Sequence, residues 1–77
     1  MIADVKYGAK VKPRALLAEN AVIRGDAAYV LIPARPHRAA IVREFTRCGP
    51  RWRLDGEGRA DLPYYAGLFP EQGESPR

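Results

Sequence analysis

The chain holds one cysteine, one histidine, one methionine and one tryptophan in 77 residues, and these scarcities close off whole classes of chemistry. A lone cysteine excludes an intramolecular disulfide and every multi-cysteine metal motif, and one histidine with one cysteine falls short of a tetrahedral metal site. The expectation is a protein of a reducing compartment with no metal or other cofactor. Long apolar runs are missing as well. Nothing approaches the roughly 20 residues that span a bilayer, and Met1-Ile2-Ala3-Asp4-Val5-Lys6 has no apolar stretch long enough for a signal peptide. The chain therefore reads as cytoplasmic, without a membrane partner.

Catalytic signatures are equally sparse. His37 stands between Pro36 and Arg38, with no nucleophile and orienting carboxylate at a recognisable spacing. Cys48 has no second cysteine to resolve an oxidised form, and it reads as turn filler. Gly56-Glu57-Gly58 lacks the glycine pattern, the lysine and the following helix of a phosphate-cradling loop, so it reads as part of a turn spanning Asp55-Gly56-Glu57-Gly58. The nine acidic residues are scattered. With no nucleophile–base pair, metal set or cofactor loop, the reading is non-enzymatic, with no small-molecule substrate.

Length points the same way. A chain of this size buries about 60–65% of the surface that its unfolded form exposes, which makes one thin core and leaves little material for a deep pocket. Residues 1–69 read as a single compact domain. Pro70 to Arg77 lack apolar side chains and read as a disordered tail.

What the chain does have is arginine. Ten arginines and three lysines carry the net charge of +4, and Arg35, Arg38, Arg43, Arg47, Arg51, Arg53 and Arg59 fall within 25 residues, opposed there only by Glu44, Asp55 and Glu57. That local excess equals the net charge of the whole chain. A field of this kind favours acidic or phosphate-bearing partners, although a solvated arginine-rich surface gives the same composition.

The arginine cluster lies on a strand, turn, strand pattern. Ala39 to Arg47 is rich in β-branched and aromatic residues, Cys48-Gly49 interrupts it, and Arg51-Trp52-Arg53-Leu54 resumes the alternation. The register expected from the pattern sets Thr46 opposite Arg51, Phe45 opposite Trp52, Glu44 opposite Arg53 and Arg43 opposite Leu54. One face then packs through Phe45, Trp52, Ile41 and Leu54 while the other is wet. Arg43 falls on the packing face, and the expected resolution is a place at the sheet margin with its stem over the Trp52 ring.

Elsewhere, Ala3 to Lys12 alternates cleanly and predicts a strand whose polar side bears Lys6, Lys10 and Lys12. Pro13 to Arg24 fits a helix that starts at Pro13 and is capped by Gly25, or two short strands turning at Glu19-Asn20. Ala27-Ala28-Tyr29-Val30-Leu31-Ile32 is apolar throughout and predicts the core strand, followed by a Pro33–His37 loop. Asp61 suits the cap of a single helical turn over Leu62 to Ala66 that Gly67 ends, after which Leu68-Phe69 fold back on the core. The fold class expected is α+β, a small antiparallel sheet of about four strands with one short helix; the alternative is an all-β SH3-like small barrel.

These readings lead to a non-enzymatic interaction protein that binds and blocks or modulates a protein or nucleoprotein partner with an acidic surface. Its business face is built from Arg43, Arg47, Arg51 and Arg53, with Tyr64 and Tyr65 as aromatic anchors. The alternative is a nucleic-acid-binding module, or a small transcriptional regulator, using the arginine-rich hairpin. In size and character the chain resembles the small single-domain inhibitors that phages and mobile elements direct against host machinery, of which anti-CRISPR proteins are the best-known class. The resemblance is carried by no motif, and it implies an inhibitory protein contact rather than any particular residue role.

Overall fold

The computed structural model describes residues 2–69. Five antiparallel strands form one open sheet: β1 (Lys10–Val11), β2 (Asn20–Arg24), β3 (Ala27–Ile32), β4 (Ile41–Cys48) and β5 (Arg51–Arg59), in the spatial order β1-β5-β4-β3-β2. Two short helices accompany them, α1 (Pro13–Leu17) and α2 (Pro63–Ala66), with a 3-10 turn at Ile2–Asp4. The result is an α+β sheet with two free edges, not a closed barrel. It has one strand and one helix more than the sequence pattern predicts. Among the described residues no helix is long and apolar enough to cross a membrane. The tail expected from Pro70 onwards lies outside the described residues.

Two tight turns build the sheet. Arg24 pairs with Ala27 across Gly25-Asp26, and Cys48 pairs with Arg51 across Gly49-Pro50. In each, the first turn residue is a glycine with φ near +60°, which is the position that a type II′ hairpin turn reserves for glycine. Proline second in the β4–β5 turn places its missing donor where no ladder bond is needed. The hairpin register therefore differs from the expected one by two residues: Phe45 faces Leu54 and Arg47 faces Trp52. A two-residue slip leaves the faces unchanged, so Phe45, Trp52 and Leu54 still point to one side.

Both sides of the sheet are packed, which the half-wet expectation missed. One side gathers Ala28, Val30, Ile32, Phe45, Trp52 and Leu54 under Ile2 and Leu16, so the N-terminal turn and α1 form its cover. The other gathers Leu31 and Val42 with Ala60, Tyr65 and Phe69, and here α2 and the residues after it are the cover. Strict alternation along β3, with Ala28, Val30 and Ile32 to one core and Leu31 to the other, explains its unbroken apolar sequence. Phe69 does fold back on the core, as expected.

Four local expectations give way to tertiary demands. Ala3 to Lys12 is not one strand: Gly8 has φ +84°, and only Lys10–Val11 pair with β5. Pro13 to Arg24 is neither one helix nor two strands but five residues of helix followed by β2. Gly56 and Gly58 are not in a turn; β5 runs through them, with an irregularity between Glu44 and Phe45 of β4 that leaves Asp55 as the extra residue on β5. Their role is close approach, because a Cβ on Gly58 would lie 3.0 Å from the Tyr65 ring and hydroxyl and 3.3 Å from Leu62. Asp61 does not cap α2, whose N-cap is Leu62; its carboxylate accepts instead from Arg59, at 2.7 Å.

Candidate functional site

The alternation of β5 assigns its arginines. Trp52 and Leu54 are buried in the core beneath α1, so Arg51 and Arg53 project from the opposite side of the sheet and are exposed. β1 is set against β5 with Val11 opposite Trp52, which puts Lys10 directly opposite Arg53. On the other flank Arg53 faces Thr46 of β4, and Arg51 faces Cys48. Lys10, Arg53 and Thr46 thus form one row across three strands, with Arg51 about 6.8 Å further along β5. Directly opposed like charges destabilise a sheet. Among the described residues none of Lys10, Arg51 and Arg53 takes part in an ion pair. The same side carries Asp55, whose carboxylate accepts a 2.5 Å hydrogen bond from the Thr46 hydroxyl.

The remaining expected site residues divide. Arg43 is not at the sheet margin. It is 8% exposed, and its guanidinium donates to Glu57 Oε1 at 3.0 Å and to the main-chain oxygens of Ile2 and Val5 at 2.9 and 2.8 Å. Two carbonyls of the N-terminal turn and one carboxylate of β5 hold it, so it straps the cover onto the sheet and leaves the partner surface. The stacking expected of Arg43 belongs to Arg47, whose Cζ lies 4.6 Å from the centroid of the Trp52 ring. Arg47 also pairs with Asp26 Oδ1 at 3.1 Å, while its own backbone N–H donates to the Asp26 carbonyl at 2.8 Å. It joins the two hairpin ends and remains half exposed.

The tyrosines divide as well. Tyr65 is buried in the space that Gly58 leaves, its hydroxyl donating to Glu44 Oε2 at 2.5 Å. Its ring meets Tyr29 and Tyr64 edge-on, with centroids 6.4 and 5.0 Å away. Burial first, then the bond to the Glu44 carboxylate and that group's charge, pushes the Tyr65 hydroxyl well above its ordinary pKa. Burial, and next the neighbouring Tyr64 hydroxyl, raises Tyr29 too. Tyr64 by contrast is 68% exposed. It borders a shallow groove of about 220 Å³ lined also by Arg24, Tyr29, Gly67 and Leu68.

Lys10, Arg24 and Tyr29 are the members that sequence reasoning missed. The stripe of lysines was visible, but β1 and β5 are 40 residues apart and nothing local determines that they pair. For Tyr29, an apolar strand signal concealed a side chain that reaches a groove on the α2 side. His37 lies in the exposed two-residue turn between Arg35 and Arg38, which bond to each other at 2.8 and 3.1 Å, and Cys48 ends β4. Among the described residues no group of three or more His, Cys, Asp or Glu side chains is placed to hold a metal ion. No family model matches the chain, and comparison with curated proteins and with solved structures finds no match.

Proposed function

We propose that this protein is a non-enzymatic binding module that uses the α2-bearing side of its sheet to engage, and so block or modulate, a protein or nucleoprotein partner with an acidic surface. The observation that carries this reading is the row Lys10–Arg53 with Arg51 beside it. Three cations share one sheet face, and among the described residues none of them is in an ion pair, an arrangement that an anionic partner stabilises. On the same side, exposed Tyr64 stands by a groove that also contains Arg24. Tyrosine and arginine together have the composition of interface hot spots. A protein contact is favoured over bare nucleic acid because Trp52 and Phe45 are buried in the core, so the arginine-bearing hairpin has no ring free to stack on bases. The small-inhibitor character of the chain fits this reading.

The test is recovery of binding partners from a bacterial lysate, with and without nuclease, by the wild type, a Lys10→Ala/Arg51→Ala/Arg53→Ala variant and a Tyr64→Ala variant. A stoichiometric protein that survives nuclease, and is lost with either variant, supports the proposal. Recovery of nucleic acid alone, abolished by nuclease and weakening log-linearly with salt, would refute it in favour of phosphate-backbone binding.

A further inference from the structure

The two edges of the sheet differ in how they are guarded. β1 has two residues, includes Lys10, and runs directly into Lys12 and Pro13. Shortness, lysine and proline are devices that blunt an edge against further pairing. β2 has five residues, Asn20-Ala21-Val22-Ile23-Arg24, in unbroken register with β3 and with no lysine, proline or bulge. Its centre is apolar and β-branched. Apolar surface flanks it on both sides of the sheet: Ile23 is 45% exposed and Leu17, just upstream, 73%, while half-buried Val22 and the Tyr64 groove lie on the other side.

We propose that β2 is a dimerisation edge, at which a second copy of this chain adds its own β2 antiparallel about a two-fold axis through Val22. Size and charge select this register. Centred on Val22, Ile23 lies opposite the partner's Ala21 on one side of the sheet, so large meets small. On the other side Arg24 lies opposite the partner's Asn20, which holds the two Arg24 side chains at opposite ends of the ribbon. Centred on Arg24, the same pairing would set those like charges face to face. Because the opposite edge is blunted, self-pairing closes at two copies and does not propagate. The axis stands normal to the sheet, so both copies turn the same face to the same side. The ten-stranded dimer presents Lys10, Arg51, Arg53 and Tyr64 twice to one partner, a bivalent surface.

The experiment is sedimentation velocity of the purified chain from low micromolar to near-millimolar concentration, with no partner present. The species expected is a dimer of the 8.6 kDa chain. Asn20→Lys puts a cation opposite the partner's Arg24 twice over and should weaken the dimer roughly 2- to 30-fold, whereas Asn20→Glu should tighten it by a similar factor. Asn20 is exposed, and thermal unfolding of dilute samples checks that both variants fold. In a Cys48→Ser background, Val22→Cys should oxidise to a covalent dimer, because directly opposed Cα atoms in an antiparallel pair lie about 4.5–5.5 Å apart, within disulfide reach. Tyr7→Cys in the same background should remain monomeric. A monomer at every concentration, assembly beyond two copies, or Asn20 variants that shift in the same direction would each overturn the proposal. The basic-face reading does not depend on the outcome, since no partner enters the measurement.

Discussion

Replacing Arg43 by alanine should damage folding before it touches any binding surface. The side chain satisfies the carbonyls of Ile2 and Val5 and pairs with Glu57. Its loss strands the Val5 carbonyl at the seam between the N-terminal turn and the sheet, worth about 1–3 kcal/mol when left unsatisfied, and removes a charge-assisted bond of about 1.5–3 kcal/mol from the Ile2 carbonyl, which keeps only the Val5 N–H. The Glu57 side chain is about one-third exposed, so water takes over part of its pairing and that contribution is small. The expected cost is roughly 3–5 kcal/mol, the stranded Val5 carbonyl together with the charge-assisted bond lost from the Ile2 carbonyl. A chain of this length holds about 4–12 kcal/mol in all, so the variant should be marginal or unfolded. At about 4–8 °C per kcal/mol, Tm should fall by at least about 12 °C. Arg43→Met keeps the apolar stem but has no donors, and it should recover little of the loss. Arg51→Ala is the exposed control, expected within about 0.5 kcal/mol of wild type. Chemical denaturation gives the energies. Hydrogen exchange gives the place: the Gly8 N–H bonded to Leu54 O at 2.8 Å and the Val5 N–H bonded to Ile2 O at 3.2 Å should lose protection first in Arg43→Met. A loss under about 1 kcal/mol in Arg43→Ala would refute the strap.

Gly58→Ala drives a methyl group into the Tyr65 ring, whose hydroxyl is anchored on Glu44, and should cost about 1–3 kcal/mol by denaturant unfolding; Gly56→Ala meets Glu44 only at 3.5 Å and should be nearly neutral. The raised pKa values of Tyr29 and Tyr65 mean that the fold holds these protons more tightly than the unfolded chain does. Their stabilising contribution is therefore complete below the unfolded value of 10.0 and is lost as pH climbs above it. Tm should hold to about pH 9, short of tyrosine ionisation, and then decline; Tyr65→Phe should start lower by about 1.5–3 kcal/mol through the lost bond to Glu44 and decline less steeply. Lys10→Ala relieves the opposition with Arg53 and should raise stability by a few tenths of a kcal/mol at low salt, a gain that vanishes as salt screens the pair.

The legible parts of this fold were those that a short stretch decides. Ala27–Ile32 declared a strand covered on both sides, and the glycine turn between β4 and β5 declared a hairpin whose two-residue slip cost nothing in the assignment of faces. Arg51 and Arg53 were correctly set opposite the packing side because Trp52 and Leu54 alternate with them. Arg43 was misplaced because its partners, the carbonyls of Ile2 and Val5, lie about 40 residues upstream. A charged side chain on an apolar face has two outlets, the sheet margin or an internal set of acceptors, and periodicity does not distinguish them. Tyr64 and Tyr65 are adjacent and alike in sequence, yet one lines a groove and the other fills the space over Gly58. The Gly56-Glu57-Gly58 stretch looked like a turn because glycine serves both tight turns and close packing.

The sequence by itself determined an antiparallel α+β sheet, the doubly covered strand Ala27–Ile32, the hairpin of β4 and β5 and an arginine-rich strand, because these rest on side-chain alternation and on a glycine with fixed backbone needs. Only the tertiary structure decided that Lys10 stands against Arg53, that Arg43 is an internal strap, that Tyr64 alone of the tyrosine pair faces solvent, and that one sheet edge is open while the other is guarded. Those outcomes depend on contacts between residues distant in the chain, where free energy is settled by which groups meet and not by what each residue prefers alone.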